Sequence, residues 1–191
     1  MRITVKTLAA TTMTAGLALT GMATAHAAVA APATAKAPAA VTATDVTAQA
    51  CKGNPRSNLH LTRAQIKTRA HSWLGKVSYS QSRYYCNGYG RYRQDCSGYV
   101  SMAWGLHTSQ WTGSLLSFSR AISKKSLRYG DVLTHDPQST SKGHVAIFMG
   151  WASGGRPIVW EEPHPGAKAG QHTWSASYAA TFSARRYKNV R

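Results

Sequence analysis

The chain has 191 residues, and its 23 lysines and arginines outnumber its 6 acidic residues, which gives a formal net charge of +17. A surface of that charge favours polyanionic partners, either the phosphates and carboxylates of a cell wall or nucleic acid, and charge alone does not choose between them. No stretch is long and apolar enough to form a stable membrane-spanning helix. We therefore expect no stable insertion into a membrane.

The N-terminal residues 1–27 have the three zones of a secretory signal peptide. Two basic residues precede an uncharged stretch rich in Ala, Leu and Thr, which ends in Ala-His-Ala at residues 25–27. Residues 28–50 are rich in Ala, Thr, Val and Pro and lack aromatic residues, which is typical of a linker or propeptide. We therefore expect a secreted protein, extracellular or associated with the cell wall, with one folded domain over residues 51–191.

The cysteine count predicts one disulfide and one free thiol, because export would place all three cysteines in an oxidising compartment. Cys51 lies in a Cys-Lys-Gly-Asn-Pro turn, and Cys86 lies in a stretch rich in Tyr, Gly and Asn over residues 84–92. Both contexts indicate irregular surface structure, so we predict a Cys51–Cys86 disulfide. It would stabilise the fold by roughly 3–4 kcal/mol through the lost chain entropy of the unfolded state. Cys96 is then the free thiol.

Two helices are predicted in the first half of the domain. A capping box begins at Thr62, and apolar residues follow at helical spacing up to Gly75, which predicts a helix over about residues 63–74. A second helix is predicted over 96–106 with Asp95 as its N-cap, since apolar residues recur at i, i+4, i+7 and i+8 from its first residue. The apolar face of this second helix should be buried.

The second half of the domain favours strands. Asp131 follows a glycine in a turn before Val132-Leu133, and we expect it to have a structural role there. Further short runs rich in β-forming residues follow at 145–149, 157–160 and about 181–187. Residues 115–122 are compatible with a short helix. Helices followed by strands predict an α+β domain.

Cys96 would occupy the first turn of the second predicted helix. A helix N-terminus favours the thiolate form, so this position suits a nucleophile. Gly98 would keep the space beside the thiol clear for a substrate backbone. The alternative interpretation is that Cys96 is the first buried residue of the apolar face, because free cysteines are often buried.

A base for this thiol is predicted at His144, in Gly-His-Val-Ala-Ile. The histidine stands at the start of an apolar strand, where its ring can project from the edge of the sheet onto the helix end and form a thiolate–imidazolium pair. The alternative is a partly buried structural histidine. The other seven histidines lie in the signal, the helical regions or turns and fit this role less well.

Three motifs, in this order, resemble the signatures of the NlpC/P60 family of cell-wall cysteine peptidases. They are Asp-Cys-Ser-Gly-Tyr-Val at 95–100, Gly-Asp at 130–131 and Gly-His-Val-Ala-Ile-Phe at 143–148. The resemblance covers about residues 64–187. It implies a papain-like α+β fold, in which N-terminal helices pack on a small antiparallel β-sheet and carry the catalytic cysteine, with the catalytic histidine on the sheet.

The resemblance also implies roles for individual residues. Cys96 matches the nucleophile and His144 the general base of the family. Asp95 and Ser97 match the flanking positions that contact the substrate, and Tyr79 matches a tyrosine that the family places over the cysteine.

Two features depart from the family pattern. The usual Tyr-x-Trp-Gly-Gly segment is replaced by Tyr-Ser-Gln-Ser at 79–82. The third catalytic position, often a histidine, falls on Glu161 or Glu162, so a carboxylate would orient His144. Side chains alternate along a strand, so only one of the two can reach the ring. We choose Glu161, since Glu162 precedes Pro163 at the expected frayed end of the strand; the alternative is that both are surface acids.

These observations favour a secreted cysteine hydrolase that cleaves amide bonds in peptidoglycan stem peptides. We expect a monomer that acts on peptidoglycan or another anionic cell-wall polymer. We also expect no cofactor and no metal, because neither HExxH nor paired Cys/His ligand spacing is present.

Two alternatives stay open at this point. A glutamate after Gly-His-Val-Ala-Ile also resembles the CHAP amidases, which would make the protein an N-acetylmuramoyl-L-alanine amidase. The other alternative is a non-catalytic cationic protein that binds the cell wall or nucleic acid, since tyrosines and arginines interleave over 83–93 and could stack on sugar rings or bases. A solvated loop beside the active-site cleft explains that stretch more simply, so no nucleic-acid partner is expected.

Overall fold

The computed structural model describes residues 51–135 and 143–191. The predicted signal peptide and linker, residues 1–50, lie outside the described residues. Within the two described ranges, none of the helices has the length and apolar character needed to cross a membrane.

The first helix, α1, spans Arg63–His71 and begins with the predicted capping box. The Thr62 hydroxyl accepts a hydrogen bond from the backbone N–H of Gln65 at 3.2 Å, and the Gln65 side chain accepts one from the Thr62 N–H at 2.8 Å. These two bonds satisfy helix N–H groups that have no partner inside the helix. The helix ends three residues earlier than predicted, because the chain turns after Ser72, whose hydroxyl donates to the Arg69 carbonyl at 2.6 Å.

A β-hairpin follows where irregular structure was predicted. Strand β1 spans Ser80–Asn87 and pairs antiparallel with β2, Gly90–Gln94. Tyr85 and Tyr92 lie opposite each other and face the core, so they give the hairpin a buried side that the sequence of this stretch does not make obvious. The prediction of an irregular loop was wrong for this reason: one face of two short strands is buried against the helices.

The disulfide prediction is confirmed. Cys51 is bonded to Cys86, with their Cα atoms 5.2 Å apart. The bond ties the start of the described chain to β1, and it leaves Cys96 as the free cysteine.

The second helix, α2, spans Cys96–Trp104, and every one of its residues is buried. Asp95 is its N-cap, as predicted. The helix stops two residues short of the predicted end because Gly105 adopts a left-handed conformation, φ 64°, and closes it as a C-cap. Helix α2 packs against both α1 and the hairpin.

Six antiparallel strands form the main sheet, in the order β3-β8-β4-β5-β6-β7. Their bounds are β3 Ser119–Ala121, β4 Val132–His135, β5 His144–Ala152, β6 Arg156–Glu161, β7 Gly170–Thr173 and β8 Ser183–Tyr187. A 3-10 helix at Ser114–Phe118 replaces the short helix predicted at 115–122, and β7 was not predicted. A short helix α3, Ala176–Ala180, lies between β7 and β8.

Both faces of this sheet are buried. Along β5, Val145 and Ile147 belong to the core shared with α1 and α2, whereas Ala146 and Phe148 belong to a second core with residues around α3. This is why the β5 sequence is apolar at consecutive positions instead of alternating. The predicted α+β architecture, with helices packed on an antiparallel sheet, is confirmed.

Asp131 holds the turn into β4, which agrees with the structural role predicted for it. Its buried carboxylate accepts hydrogen bonds from Arg63 at 3.0 Å and from Arg186 at 2.8 and 2.9 Å. It also accepts one from the backbone N–H of Arg128 at 2.9 Å. Two guanidinium groups therefore compensate the charge that this turn buries.

Candidate active site

The candidate nucleophile Cys96 is the first residue of α2, and only 5% of its surface is exposed. The carboxylate of the preceding Asp95 accepts a hydrogen bond from the Gly98 N–H at 2.7 Å, which fixes the helix start. The sulfur therefore lies at the end of the helix where the peptide dipoles favour negative charge.

Gly98 has a different role from the predicted one. A Cβ atom at this position would fall on the backbone carbonyl of Arg93, at the end of β2. The glycine thus allows β2 to approach α2 closely, and the space beside it is already occupied by the protein and is not open to a substrate.

Asp95 and Ser97, predicted to contact the substrate, are both buried and bonded to Arg93. Arg93 Nε donates to Asp95 Oδ2 at 2.6 Å, and Arg93 Nη2 donates to Ser97 Oγ at 3.0 Å. The Ser97 hydroxyl donates to Asp95 Oδ1 at 3.3 Å. The three side chains form a polar network around the start of α2, and substrate contact by Asp95 and Ser97 stays a prediction.

The candidate base His144 is the first residue of β5, a central strand of the sheet. Its Nε2 lies 2.6 Å from Glu161 Oε2. Burial of the ring opposes protonation, but hydrogen bonds to Cys96 and Glu161 outweigh it and raise the pKa of His144 to about 9. The imidazolium is therefore favoured at neutral pH, as a thiolate–imidazolium pair requires.

Glu161 ends β6 and lies almost entirely out of contact with solvent. Besides His144, it accepts a hydrogen bond from Trp174 Nε1 at 2.8 Å, and His172 Nδ1 lies 3.0 Å from its second oxygen. Burial favours the neutral acid, but the His144 and Trp174 hydrogen bonds and the neighbouring His172 lower the pKa of Glu161 below its ordinary value. The structure thus brings together His144 and the glutamate chosen from the sequence.

Glu162 directly follows the last residue of β6, as predicted, but this strand end is buried and not frayed, and neither glutamate is a surface acid. The exposed fraction of Glu162 is 0%, and within the described residues neither of its carboxyl oxygens has a hydrogen-bond partner. Burial is the main reason why the pKa of Glu162 rises to about 8, and the negative charge of Asp95 adds to the shift. At neutral pH Glu162 is a buried, protonated acid close to the start of α2.

Glu162→Gln should flatten the pH dependence of stability between about pH 4.5 and 8. The folded protein keeps a proton on Glu162 that the unfolded chain loses above about 4.5, so the free energy of unfolding of the parent falls as the pH rises through this range. Glutamine does not titrate, so the variant lacks this contribution. Urea unfolding of both proteins at pH 5 and pH 8 measures how far the free energy of unfolding falls. An equal decrease in the two proteins would contradict a protonated Glu162 in the folded state.

Tyr79, predicted to lie over the cysteine, precedes β1 and is half-buried. Its backbone N–H donates to the Ala167 carbonyl at 3.0 Å. Burial and the negative charges of Cys96 and Asp95 raise the pKa of Tyr79 to about 12. The hydroxyl is therefore a stable hydrogen-bond donor near the thiol, while its contact with substrate stays a prediction.

An aromatic cluster beside His144 was missed in the sequence analysis. The His144 ring lies 5.8 Å from the ring of Trp174 and 6.2 Å from that of Phe182, and Tyr178 packs at 4.9 Å against each of those two side chains. These three aromatic residues recur at i, i+4 and i+8 around α3, and this spacing would have indicated one common face. His172 was missed too, since nothing in the sequence links it to Glu161.

Comparison with models of known protein families finds no match for this sequence, and comparison with curated proteins finds none either. Among solved structures, an NlpC/P60 family protein from Bacillus cereus matches with a TM-score of 0.50 and 23% identity. The match covers 68% of this chain and 41% of that protein. The fold is that of an NlpC/P60 protein. The predicted fold is thereby confirmed, and this likeness concerns the fold alone.

Two further solved structures match part of this chain at lower TM-scores. Rv1477, a hypothetical invasion protein of Mycobacterium tuberculosis, is 25% identical with a TM-score of 0.46, and the match covers 65% of this chain and 61% of that one. A protein of Staphylococcus aureus, similar to a lipoprotein of the NLP/P60 family, is 19% identical with a TM-score of 0.48, over 70% and 44% of the two chains. The chain thus spans less than two thirds of the length of each of these proteins.

Proposed function

We propose that this chain is a cysteine hydrolase that cleaves amide bonds in the stem peptides of peptidoglycan. The observation that carries the proposal is the line of three functional groups, Cys96, His144 and Glu161. The sulfur lies at a helix N-terminus, its interaction with the imidazole contributes to the raised pKa of His144, and a buried carboxylate lies 2.6 Å from the imidazole Nε2. A nucleophile, a base and a group that orients the base are the parts that acyl transfer through a thiol requires.

The first half of the reaction forms a thioester. Because Glu161 engages Nε2, the other ring nitrogen, Nδ1, is left to face the thiol. The Cys96 thiolate attacks the amide carbonyl carbon, and the carbonyl oxygen becomes an oxyanion. Within the described residues the Cys96 N–H has no hydrogen-bond partner, so it is available to donate to that oxyanion. His144 then gives its proton to the amide nitrogen as the C–N bond breaks.

The second half of the reaction releases the acid. A water molecule loses a proton to His144 and attacks the thioester carbonyl, and the C–S bond breaks to leave a carboxylic acid and the original thiolate–imidazolium pair. Throughout both halves Glu161 stabilises the imidazolium and holds the ring in one orientation. A hydrogen bond from Trp174 and the nearby His172 ring help to keep the Glu161 carboxylate ionised and in place.

Peptidoglycan is the proposed substrate on the strength of the three sequence motifs and the charge. The sequence has 23 basic and 6 acidic residues, and the resulting positive charge attracts a polymer that carries carboxylates and phosphates. The Cys51–Cys86 disulfide is compatible with an oxidising compartment outside the cytoplasm. We therefore propose that residues 1–27 direct export and that the enzyme works at the cell wall.

A second candidate function is cleavage of the amide between the glycan and the stem peptide. The observation that favours it is the carboxylate at the third catalytic position, Glu161, since a glutamate there resembles the CHAP amidases. The Tyr-Ser-Gln-Ser segment at 79–82, which departs from the usual NlpC/P60 sequence, leaves the choice to experiment.

Mass analysis of muropeptides after digestion of purified sacculi tests the proposal. We expect shortened stem peptides that still carry their sugars, with new amino termini inside the stem. The Cys96→Ala protein serves as the matched control and should release none of them. Intact stem peptides with free N-terminal alanine would identify an amidase, and an unchanged muropeptide profile would contradict both hydrolase functions.

A further inference from the structure

The outer face of the β1–β2 hairpin carries an exposed aromatic side chain stacked with a cation. Tyr84 is 47% exposed, and the guanidinium carbon of Arg91 lies 5.0 Å from the centre of its ring. Lys52 is exposed beside the hairpin turn, where its backbone N–H donates to the Asn87 carbonyl at 3.2 Å. We call Lys52, Tyr84 and Arg91 the hairpin strip.

The opposite face of the hairpin explains why the strip is so exposed. Tyr85 and Tyr92 occupy the core side, and the Tyr85 ring packs edge-on against Trp73 at 5.6 Å. Side chains alternate along each strand, so Tyr84 and Arg91 must point away from this core. The two tyrosines on the core side have a structural role, and the aromatic–cation pair on the outer side has no packing role that would account for it.

The strip leads directly to the candidate nucleophile. Tyr84 lies opposite Arg93 in the strand register. Arg93 in turn bonds to Asp95 and Ser97, the two residues that flank Cys96. A polymer lying along the strip would therefore pass beside the start of α2.

The hairpin strip is also held in a fixed position. The Cys51–Cys86 disulfide anchors β1 to the preceding segment. Asn54 Oδ1 accepts a hydrogen bond from the Arg91 N–H at 2.6 Å, and Asn54 Nδ2 donates to the His107 carbonyl at 3.1 Å. A surface that is already ordered binds a ligand with little additional loss of entropy.

The charge of the described surface selects an anionic partner. Every acidic side chain within residues 51–135 and 143–191 is buried, and these are Asp95, Asp131, Glu161 and Glu162. The exposed charges of the described part are therefore cationic. Among the described residues, no exposed carboxylate side chain competes with a ligand for the Arg91 and Lys52 donors.

We propose that the hairpin strip binds the glycan strand of peptidoglycan together with the stem-peptide carboxylates that project from it. This inference rests on the proposed function. The face of Tyr84 offers an apolar surface to a sugar ring, while the guanidinium of Arg91 supplies paired N–H donors for a carboxylate. Bound there, the glycan presents its attached stem peptide to Cys96.

The test compares Tyr84→Ala/Arg91→Gln with the parent, on two substrates and in two assays. Binding is measured with the inactive Cys96→Ala background and purified sacculi freed of teichoic acid, so that this readout needs no hydrolysis. Hydrolysis is measured on the same sacculi and on a soluble stem peptide without glycan. We expect sacculus binding to weaken about tenfold, as for the loss of one stacking and one ionic contact. Turnover of the soluble peptide should fall less than turnover of sacculi, because without the glycan only the contact of Arg91 with a carboxylate can be lost.

The matched control is Tyr129→Ala/Arg128→Gln, an exposed pair of the same residue types on the loop before β4. It removes the same side chains and charge and should leave sacculus binding within about twofold of the parent. If both double variants lost sacculus binding equally, the overall charge of the protein, and not the hairpin strip, would be responsible for that binding.

Three other results would overturn the proposal. Unchanged sacculus binding by the strip variant would remove the strip as a binding surface. If the strip variant lost binding only to sacculi that retain teichoic acid, the strip would be a site for a phosphate polymer. If it lost binding only to single-stranded DNA, the strip would be a site for nucleic acid. If the parent binds sacculi through the strip but hydrolyses neither substrate, the proposed function fails while the binding surface stands.

Discussion

Cys96→Ala and His144→Ala should each lower the hydrolysis of peptidoglycan by at least about 10⁴-fold, because a nucleophile and its base act as one unit. Combining the two substitutions should cost little more than either one. Release of new amino groups from purified sacculi and from a soluble stem peptide measures the loss. Binding to sacculi should persist in both variants, since neither Cys96 nor His144 belongs to the hairpin strip and neither substitution removes an exposed basic residue.

His172→Ala is the matched control for the histidine. His172 also contacts Glu161, at 3.0 Å, but its side chain is about half exposed and it lies on β7. Its loss should reduce turnover far less than the loss of His144.

Iodoacetamide should inactivate the parent at neutral pH, because Cys96 is the only one of the three cysteines outside the disulfide. A Cys96→Ala protein that clears sacculi as fast as the parent would end the enzyme hypothesis.

Glu161→Gln should lower the turnover number by about 10²–10⁴-fold while the protein stays folded, because a neutral amide stabilises the imidazolium less and can hold the wrong tautomer of His144. The same assays measure the loss, and urea unfolding with circular dichroism checks the fold. The sensitivity is specific to this residue, since Glu161 is the carboxylate 2.6 Å from the ring.

Glu162→Gln is the matched control for Glu161, as the adjacent residue with the same chemical change. Burial raises the pKa of Glu162 to about 8, and its carboxyl oxygens have no hydrogen-bond partner among the described residues. The turnover number of the variant should therefore change by less than about tenfold. If Glu162→Gln proved the more damaging of the two, the role of orienting His144 would pass to Glu162. Two near-normal enzymes would show that another group orients the ring.

Much of the site could be predicted from the sequence because its signals are local. Asp95 caps α2 through its own neighbouring residues, so the position of Cys96 at a helix start follows from a few consecutive residues. His144 begins β5 because an apolar run follows it directly. Strand alternation indicates that only one of Glu161 and Glu162 can reach the ring, and Glu161 was chosen because the strand was expected to end there. The strand does end at Glu161, but Glu162 is buried beyond that end and is not frayed.

Other features depend on contacts between distant segments, and no local pattern contains them. The β1–β2 hairpin becomes two strands because Tyr85 and Tyr92 gain a buried face only when α1 and α2 are in place. Glu162 is fully buried although it follows the last residue of β6, and none of its neighbouring residues in the sequence indicates that burial. In each case burial depends on which segments meet, and that is settled by packing across the whole domain.

The sequence alone therefore determined the helix that carries Cys96 and the strand that starts at His144, since capping and hydrophobic runs act over a few residues. Alternation along the next strand limited the carboxylate beside the ring to one of two adjacent glutamates. Only the tertiary structure decided that Arg93 holds Asp95 and Ser97, that Trp174 and His172 hold Glu161, and that Tyr84 and Arg91 face solvent. Those contacts join residues from separate elements, and their partners are set by the register of the strands and the packing of the helices on the sheet.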